Sequence, residues 1–357
     1  MNPIYTIEIY RLNPVNGTFS RIDTIESFEK LSFSQRLNGI GACSFEIDLD
    51  SKKATNTNFT RFINQIVVKR NNNIVFFGPI VKRRGSVKNE EEKVEIECLS
   101  YIYHLATRFT SKLQIFTNTA QSTIAWNLIS AVQARDNGNL GIYQGVLASG
   151  NNRDRTYEYK GIAEALIEFS NIQQGFDWEF QPIQDANGLL SSINFNTYFP
   201  QIGLKRDDLP PITMDNVASL AFVDDGEIYN QVTFEGAGTG SPILFTAGEN
   251  FSQSSFGRRE AIQMEKDISI QDTLNRKGNA YLNKNSVNRF KIDIELYPRV
   301  RPSFGDLNLG DVLNINLSNN TVQDSILNIS KEGRIVELNV EVDGLGVEKV
   351  SPRIILY

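Results

Sequence analysis

Residues 62–84 read FINQIVVKRNNNIVFFGPIVKRR, two strand-like runs that meet at three consecutive asparagines. The runs are residues 65–70 and 73–83, and Asn71, Asn72 and Asn73 tolerate the left-handed backbone of a tight turn. The pattern predicts a β-hairpin. Gly78-Pro79 inside its second strand takes a donor out of the ladder, which predicts a bulge or bend of the kind that curls a sheet into a barrel.

Outward from the hairpin the strand signal repeats. Residues 44–50 (SFEIDLD) put Phe45, Ile47 and Leu49 on one face and Glu46, Asp48 and Asp50 on the other, as a half-buried antiparallel strand requires. Residues 93–99 (KVEIECL) alternate again beyond a charged turn at 88–92, so the chain from Tyr5 to about Leu105 is a succession of strands. Between about 109 and 200 the period becomes helical. Ile124, Leu128, Ile129 and Val132 share one face ahead of Gly138, and Ile162, Ala165, Leu166 and Phe169 share another ahead of Gly175. Strands at 176–182 (FDWEFQP) and 192–198 follow, joined through residues 185–188, and Pro200, Pro210 and Pro211 bracket a polar, linker-like stretch.

Residues 230–235 (NQVTFE) read as a strand before the glycine-rich turn 236–240. Ile270, Leu274, Tyr281 and Leu282 then mark a helix, with Asp267 and Ser269 as capping candidates and Gly278 as its weak point. Strands return as FKIDIELY, DVLNINL, SILNISKE and RIVELNVEV. The expected fold is α+β and mainly antiparallel β. It divides into a β-barrel-like domain at 1–107, an α+β domain at 108–205, an α+β linking domain at 206–286 and a second β-barrel-like domain at 287–357. The two β-rich ends match in pattern, as duplicates would.

A chain of 357 residues exceeds the size at which one core stops growing, and its 40% hydrophobic, 22% charged composition is that of a folded protein. The formal net charge of -6 gives a surface that repels phosphate, which argues against sequence-independent nucleic-acid binding as the main role. The one concentrated basic cluster, Lys82, Arg83 and Arg84 with Lys88, lies beside Glu90, Glu91 and Glu92, so its field cancels at a distance. The N-terminus enters strand sequence without a secretion signal, and no window reaches membrane-spanning length. The expectation is a protein made in a cytoplasm and not inserted in a membrane. Cys43 and Cys98 have apolar neighbours and are expected as buried free thiols.

Signals for chemistry are sparse. His104 is the single histidine, and no G-x-S-x-G elbow or other nucleophile signature accompanies it. One histidine and two separated cysteines cannot build the usual four-ligand zinc site, and no D-x-D-x-D-G calcium loop occurs. Residues 236–240 (GAGTG) lack the helix start and Lys-Ser/Thr of a phosphate-cradling loop and fit a hairpin turn. Asp177 and Glu179 share one face of FDWEF and could serve as the paired carboxylates of a glycan hydrolase. An amphipathic strand with Phe176, Trp178 and Phe180 in the core and the acids in water accounts for the same pattern. Asp207-Asp208 and Asp224-Asp225 read as turn or capping residues. No catalytic residue, metal or cofactor is expected.

Three groups of motifs carry a family resemblance. The first is SFSQRLNGIGACSFEIDLD (32–50) with the hairpin 62–84; the second is YNQVTFEGAGTG (229–240). The third runs from SSFGRREAIQMEKDISIQDTLNRKGNAYLNKNS (254–286) through FKIDIELYP (290–298) to LNLGDVLNINL (307–317). In order and spacing these resemble the phage tail hub family, the siphophage minor tail proteins of the tail tip and the baseplate hubs of contractile tails. The resemblance implies two tail-tube-type barrels per subunit in a homotrimer, a pseudo-sixfold ring between the sixfold tail tube and a threefold spike or fibre. Implied partners are the tail tube or distal tail protein, the central spike or fibre protein and the tape measure protein, with no sequence-specific nucleic acid. The implied location is the virion, assembled in the host cytoplasm, and a headless injection particle could host the same subunit.

Interface candidates follow from it: Gly39, Gly41, Asn71, Asn72, Asn73 and Gly78 in the first barrel, and Leu309, Gly310, Asp311, Asn319 and Asn320 in the second. Turn chemistry needed only by the fold accounts for the same residues. No metal-binding or lysozyme-like insertion interrupts the motifs, so any hydrolase is expected on another polypeptide. Two other classes stand beside this reading. A tail-associated peptidoglycan hydrolase would use Asp177 and Glu179, and a carbohydrate-binding receptor module would need exposed Trp or Tyr on a groove, whereas Trp126 and Trp178 fall on buried faces.

Overall fold

The asparagine turn and its flanking runs do form a hairpin, the centre of a first β-rich unit. In the computed structural model, residues 2–88, 91–148, 150–172, 174–223, 227–238, 241–266, 268–287, 291–318 and 328–356 are described. The first unit comprises β1 (Tyr5–Leu12), β2 (Phe19–Ile25), β3 (Lys30–Arg36), β4 (Ala42–Asp48), β5 (Asn64–Arg70), β6 (Asn73–Lys88) and β7 (Glu91–Leu99). Next come α1 (Tyr103–Ala106), β8 (Gln114–Ala120), α2 (Gln121–Gln133), β9 (Ile142–Leu147), β10 (Asn152–Tyr157), α3 (Ile162–Asn171), β11 (Asp177–Gln184) and β12 (Leu190–Tyr198). Then follow β13 (Ile212–Thr213), β14 (Val217–Val223), β15 (Gln231–Glu235), β16 (Leu244–Gly248), α4 (Asn250–Phe256), β17 (Glu260–Met264) and α5 (Gln271–Asn285). The chain closes with β18 (Lys291–Leu296), β19 (Val312–Ser318), β20 (Asn328–Asp343) and β21 (Glu348–Leu356).

The architecture is mainly antiparallel β, as the alternation indicates. Both ends of the chain enter one open sheet, in the order β14-β18-β21-β20-β3-β4-β7-β6-β5-β1-β2, with β19 on β20 and the short β13 parallel to β19. The seam is β3 against β20, antiparallel from Arg36 opposite Glu337 to Lys30 opposite Asp343. Among the described residues no ladder closes either half into a barrel; the path ends at β2 and β14.

Within this sheet the two ends repeat a device. β6 pairs with β5 through Pro79 and with β7 from Ile80 onward, with a bulge between Ile80 and Lys82, where Gly78-Pro79 was expected to bend the strand. β20 pairs with β19 as far as Arg334 and with β21 from Gly333 onward, with a bulge between Ile335 and Glu337. Each strand is 16 residues long and changes partner midway. One hydrophobic core, with Ile7, Phe45, Ile66 and Ile96 from the first unit and Ile294, Ile315, Leu338 and Ile354 from the last, runs beneath both. At its margin Glu348 pairs with Arg70 and accepts from the Tyr5 hydroxyl at 2.6 Å.

Two smaller layers depart from this frame. Residues from Tyr101 to Phe195 bury Ile124, Leu128, Leu166, Phe169 and Trp178 between α2, α3 and the sheet β11-β12-β9. The second lies within the β14–β18 connection, whose bases meet where Val223 pairs with Lys291. There β16-β15-β17 packs Val232 and Phe234 against Leu274 and Leu282 of α5.

Several local expectations need correction. The described part of SILNISKE, residues 328–332, and RIVELNVEV are not separate strands; both belong to β20, and residues 325–327 lie outside the described residues. Gly333 between them does not break the strand but lets it pass close to β21, since a Cβ there would lie 2.4 Å from Ile354 Cγ2. The stretch bracketed by prolines is not a free linker either. The Val312 amide donates to Leu204 O and the Arg206 amide donates to Val312 O, and β13 pairs with β19 of the last unit. The N-cap of α5 is Ile270, with no side-chain cap, so Ser269 does not cap it, and Asp267 lies outside the described residues. The pairs β8–β10 and the helix α4 lack the clean periodicity that would have marked them.

Candidate functional site

β11 turns Trp178 and Phe180 toward α3, where the indole Nε1 donates to Leu166 O at 3.0 Å. Alternation then puts Asp177 on the other face, where water was expected. It is instead 5% exposed. Asn38 Nδ2 donates to Asp177 Oδ1 at 2.6 Å, the Ile202 amide donates to Oδ2 at 2.8 Å, and the Arg334 guanidinium closes a salt bridge to Oδ2. Asn38 also accepts from the Trp178 amide at 2.9 Å. Asp177 therefore joins the α+β layer to the β3–β4 turn and to β20 at once. Glu179, two residues on along the same face, accepts from the Tyr198 hydroxyl and Asn196, so the two acids have separate partners. Asn38 and Arg334 were missed by sequence reading, because the residues that cover Asp177 lie 139 and 157 positions away from it.

The Leu309-Gly310-Asp311 turn lies beside this pair. Asp311 is buried, and its carboxylate accepts from the Leu204 amide at 3.0 Å, the Arg206 guanidinium at 3.0 Å and the Asn308 amide at 3.1 Å. Arg206 also forks onto Asp208, and these carboxylates together hold its pKa above the ordinary guanidinium value. Gly310 and Gly203 approach back to back, both left-handed at φ +84° and +89°. A cleft of about 540 Å³ opens between the three units, lined by Gly39, Gly41, Phe76, Trp178, Leu309 and Asp311 among others. Four candidates, Gly39 and Gly41 from one end of the sequence and Leu309 and Asp311 from the other, thus line one cleft. Gly41, Gly78, Gly310 and Asp311 are buried, Gly39 and Leu309 are half-buried, and Asn71, Asn72 and Asn73 are exposed at the hairpin tip. Asn319 and Asn320 lie outside the described residues.

A second buried junction holds the hairpin β11–β12 on the first unit. Lys69 Nζ sits 2.6 Å from Glu8 Oε2 and donates to Gly188 O at 2.8 Å, while Tyr10 bridges Glu8 and the Leu190 amide. Burial, foremost, raises the Tyr10 pKa, so the hydroxyl remains a donor.

Cys43 and Cys98 are free, buried cross-strand partners, and burial raises both thiol pKa values. The Lys82, Arg83 and Arg84 cluster lies along β6, where Lys82 pairs with Glu97 and Arg84 with Glu95 and Glu97. The glycine-rich residues 236–238 lead from β15 into the antiparallel β16, a hairpin connection; Gly240, Asp224 and Asp225 lie outside the described residues. Among the described residues no group of three or more His, Cys, Asp and Glu side chains could hold a metal ion, and no helix is long and apolar enough to cross a membrane.

His104 stacks edge-on to Tyr101 and bonds Gln65 Oε1 at 3.1 Å. Burial, helped by the charge of Arg108, lowers its pKa from 6.5 to about 4. Between those values the unfolded chain binds the proton and the folded chain does not. Stability is therefore lost as pH falls from 6.5 to about 4, at up to about 1.4 kcal/mol per pH unit, and this group adds no loss below that. Urea midpoints at pH 7 and pH 5 are expected to differ more for wild type than for His104→Gln; equal differences would remove His104 from the acid response.

No family model matches the chain, and no curated protein matches it significantly in sequence. Solved structures do. The 43 kDa tail protein of prophage MuSo2 from Shewanella oneidensis superimposes with a TM-score of 0.61 at 13% identity, covering 98% of each chain. A tail protein from Neisseria meningitidis gives 0.61 at 13% identity, over 98% of this chain and 96% of that one. A prophage tail protein from Listeria monocytogenes gives 0.54 at 11% identity, over 97% and 94%. Across nearly its whole length, then, this chain has the fold of these phage tail proteins.

Proposed function

We propose that the chain is a structural subunit of a phage-type tail, a homotrimeric hub of the tail tip or baseplate that joins a sixfold tube to a threefold spike or fibre. The observation that carries this is the repeated device: two β units per chain, each built around a long strand that changes partner midway, fused into one open sheet. Three copies present six such units, which satisfies a sixfold neighbour on one side and a threefold neighbour on the other. The four-part division 1–107, 108–205, 206–286 and 287–357 belongs to this reading, as do the tube or distal tail protein, the spike and the tape measure protein as partners and the virion as location. The reading is of a structural role, and the pairing of Asp177, one of the two acids a hydrolase would use, with Arg334 supports it.

The sheet ends supply the contact between copies. β14 (VASLAFV) carries no charge and no proline, the opposite of a protected edge, and β2 is the other open end. Head-to-tail pairing of β14 with the next copy's β2 closes a ring. Asn71, Asn72 and Asn73, Gly39 and Leu309 remain accessible for contacts with neighbouring proteins. Ala221→Lys places a charge on the β14 edge and is expected to leave the monomer folded while shifting the assembled species to monomer in sedimentation velocity. An unchanged distribution would move the contact away from β14.

A further inference from the structure

We propose that the outer face of the sheet β11-β12-β9 is a glycan-binding surface centred on Tyr143. The inner face of this sheet, with Trp178, Ile193, Phe195 and Ile142, is sealed by α2 and α3. On the outer face, register places Gln181, Asn194 and Tyr143 side by side across three strands, a row roughly 10 Å long at the usual strand spacing. Tyr143 is 55% exposed and the neighbouring Val146 68%.

The next row is Glu179, Asn196 and, beside them, Gly145. Its polar groups are internally satisfied. Asn196 donates to Glu179 and Gln181 and accepts from the Val146 amide at 2.9 Å, and Tyr198 donates to Glu179. Gly145 has no side chain to fill the space, and a Cβ would stand only 2.0 Å from Asn196 Oδ1. The result is a shallow trough with Tyr143 raised at its edge.

Among the described residues the side chains of Tyr143 and Asn194 make no hydrogen bond within the chain, and Gln181 uses only its oxygen. Free neutral amides that donate and accept, next to an exposed aromatic ring on a rigid sheet, match a sugar, whose hydroxyls seek both donors and acceptors and whose C–H face covers an aromatic ring. The row carries no free charge, which favours a neutral glycan over a charged peptide or nucleic acid. The rigid sheet keeps the ordering cost of binding low.

The test is an array of bacterial cell-surface glycans probed with the full chain, followed by titration of any glycan retained. The expected result is at least one glycan bound with a Kd below about 1 mM, weakened roughly tenfold by Tyr143→Ala and several-fold by Asn194→Ala. Tyr159→Ala, at an exposed tyrosine outside this sheet, should leave binding unchanged. No glycan retained, or equal binding by wild type and Tyr143→Ala, overturns the proposal; circular dichroism of each variant confirms that loss of binding is not loss of fold.

Discussion

Arg334→Met is expected to lower folding stability by about 3–5 kcal/mol, the usual loss when one member of a buried ion pair is removed. The guanidinium reaches Asp177, Ile202 O at 3.0 Å and Gly310 O at 3.3 Å. Methionine fills most of the volume and satisfies none of these acceptors. Asp177 would keep its charge with only the neutral donors of Asn38 and the Ile202 amide. Adding Asp177→Asn removes that stranded charge, so the double variant is expected to be more stable than Arg334→Met alone. Urea denaturation of wild type, both single variants and the double measures the coupling. A loss below about 1 kcal/mol for Arg334→Met would make the pair equivalent to a surface contact and contradict its role as the junction of three units.

Gly310→Ala is expected to cost about 3 kcal/mol or more, for two independent reasons. A left-handed residue with a Cβ costs about 1–2 kcal/mol, and forcing an atom into a filled space typically adds about 1–3 kcal/mol. Here φ is +84° and the Cβ would stand 2.3 Å from Ile202 O, a backbone atom that cannot swing aside. Gly85→Ala is the control: that glycine lies on exposed β6 with nothing within 4 Å of the added methyl, and its effect is expected to be near zero. Differential scanning calorimetry separates the two. Similar melting temperatures for both variants would show that the Gly203–Gly310 approach yields easily.

These two sites mark where sequence reading stops. The hairpin at residues 62–84 and the helices through Ile124 and Ile162 are legible because their signals are local: turn chemistry between apolar runs, or one periodic face. The bulge just beyond Gly78-Pro79 was legible for the same reason, whereas the change of partner there was not. Asp177 was not, since alternation assigns a residue to a face and is silent on what covers that face. Its partners come from the β3–β4 turn and from β20, brought together only by the tertiary fold. The strap at 202–213 misled in the same way. Proline and polar residues mark a loop, but docking of its backbone against Asp311 and Val312 is a long-range property. The seam between β3 and β20 could not be read from either strand, because an edge pairs through its backbone and leaves no side-chain pattern to announce the partner.

The interface candidates divide on the same principle. Gly310 and Asp311 stand out in sequence as a turn into a strand, and they prove to be fastened to the same chain. Asn71, Asn72 and Asn73 are exposed at the hairpin tip, although Asn71 Oδ1 accepts from the Ile4 amide and Asn72 O from Gln184 Nε2, and β14 pairs on one side with β18.

The most direct test of a hub that completes a ring is the mass of the assembled protein, measured by native mass spectrometry or light scattering at micromolar concentration. A species of three times 40.2 kDa, appearing as a ring with six similar lobes in electron microscopy, is the expected result. A strict monomer at every concentration, or a dimer, would contradict it.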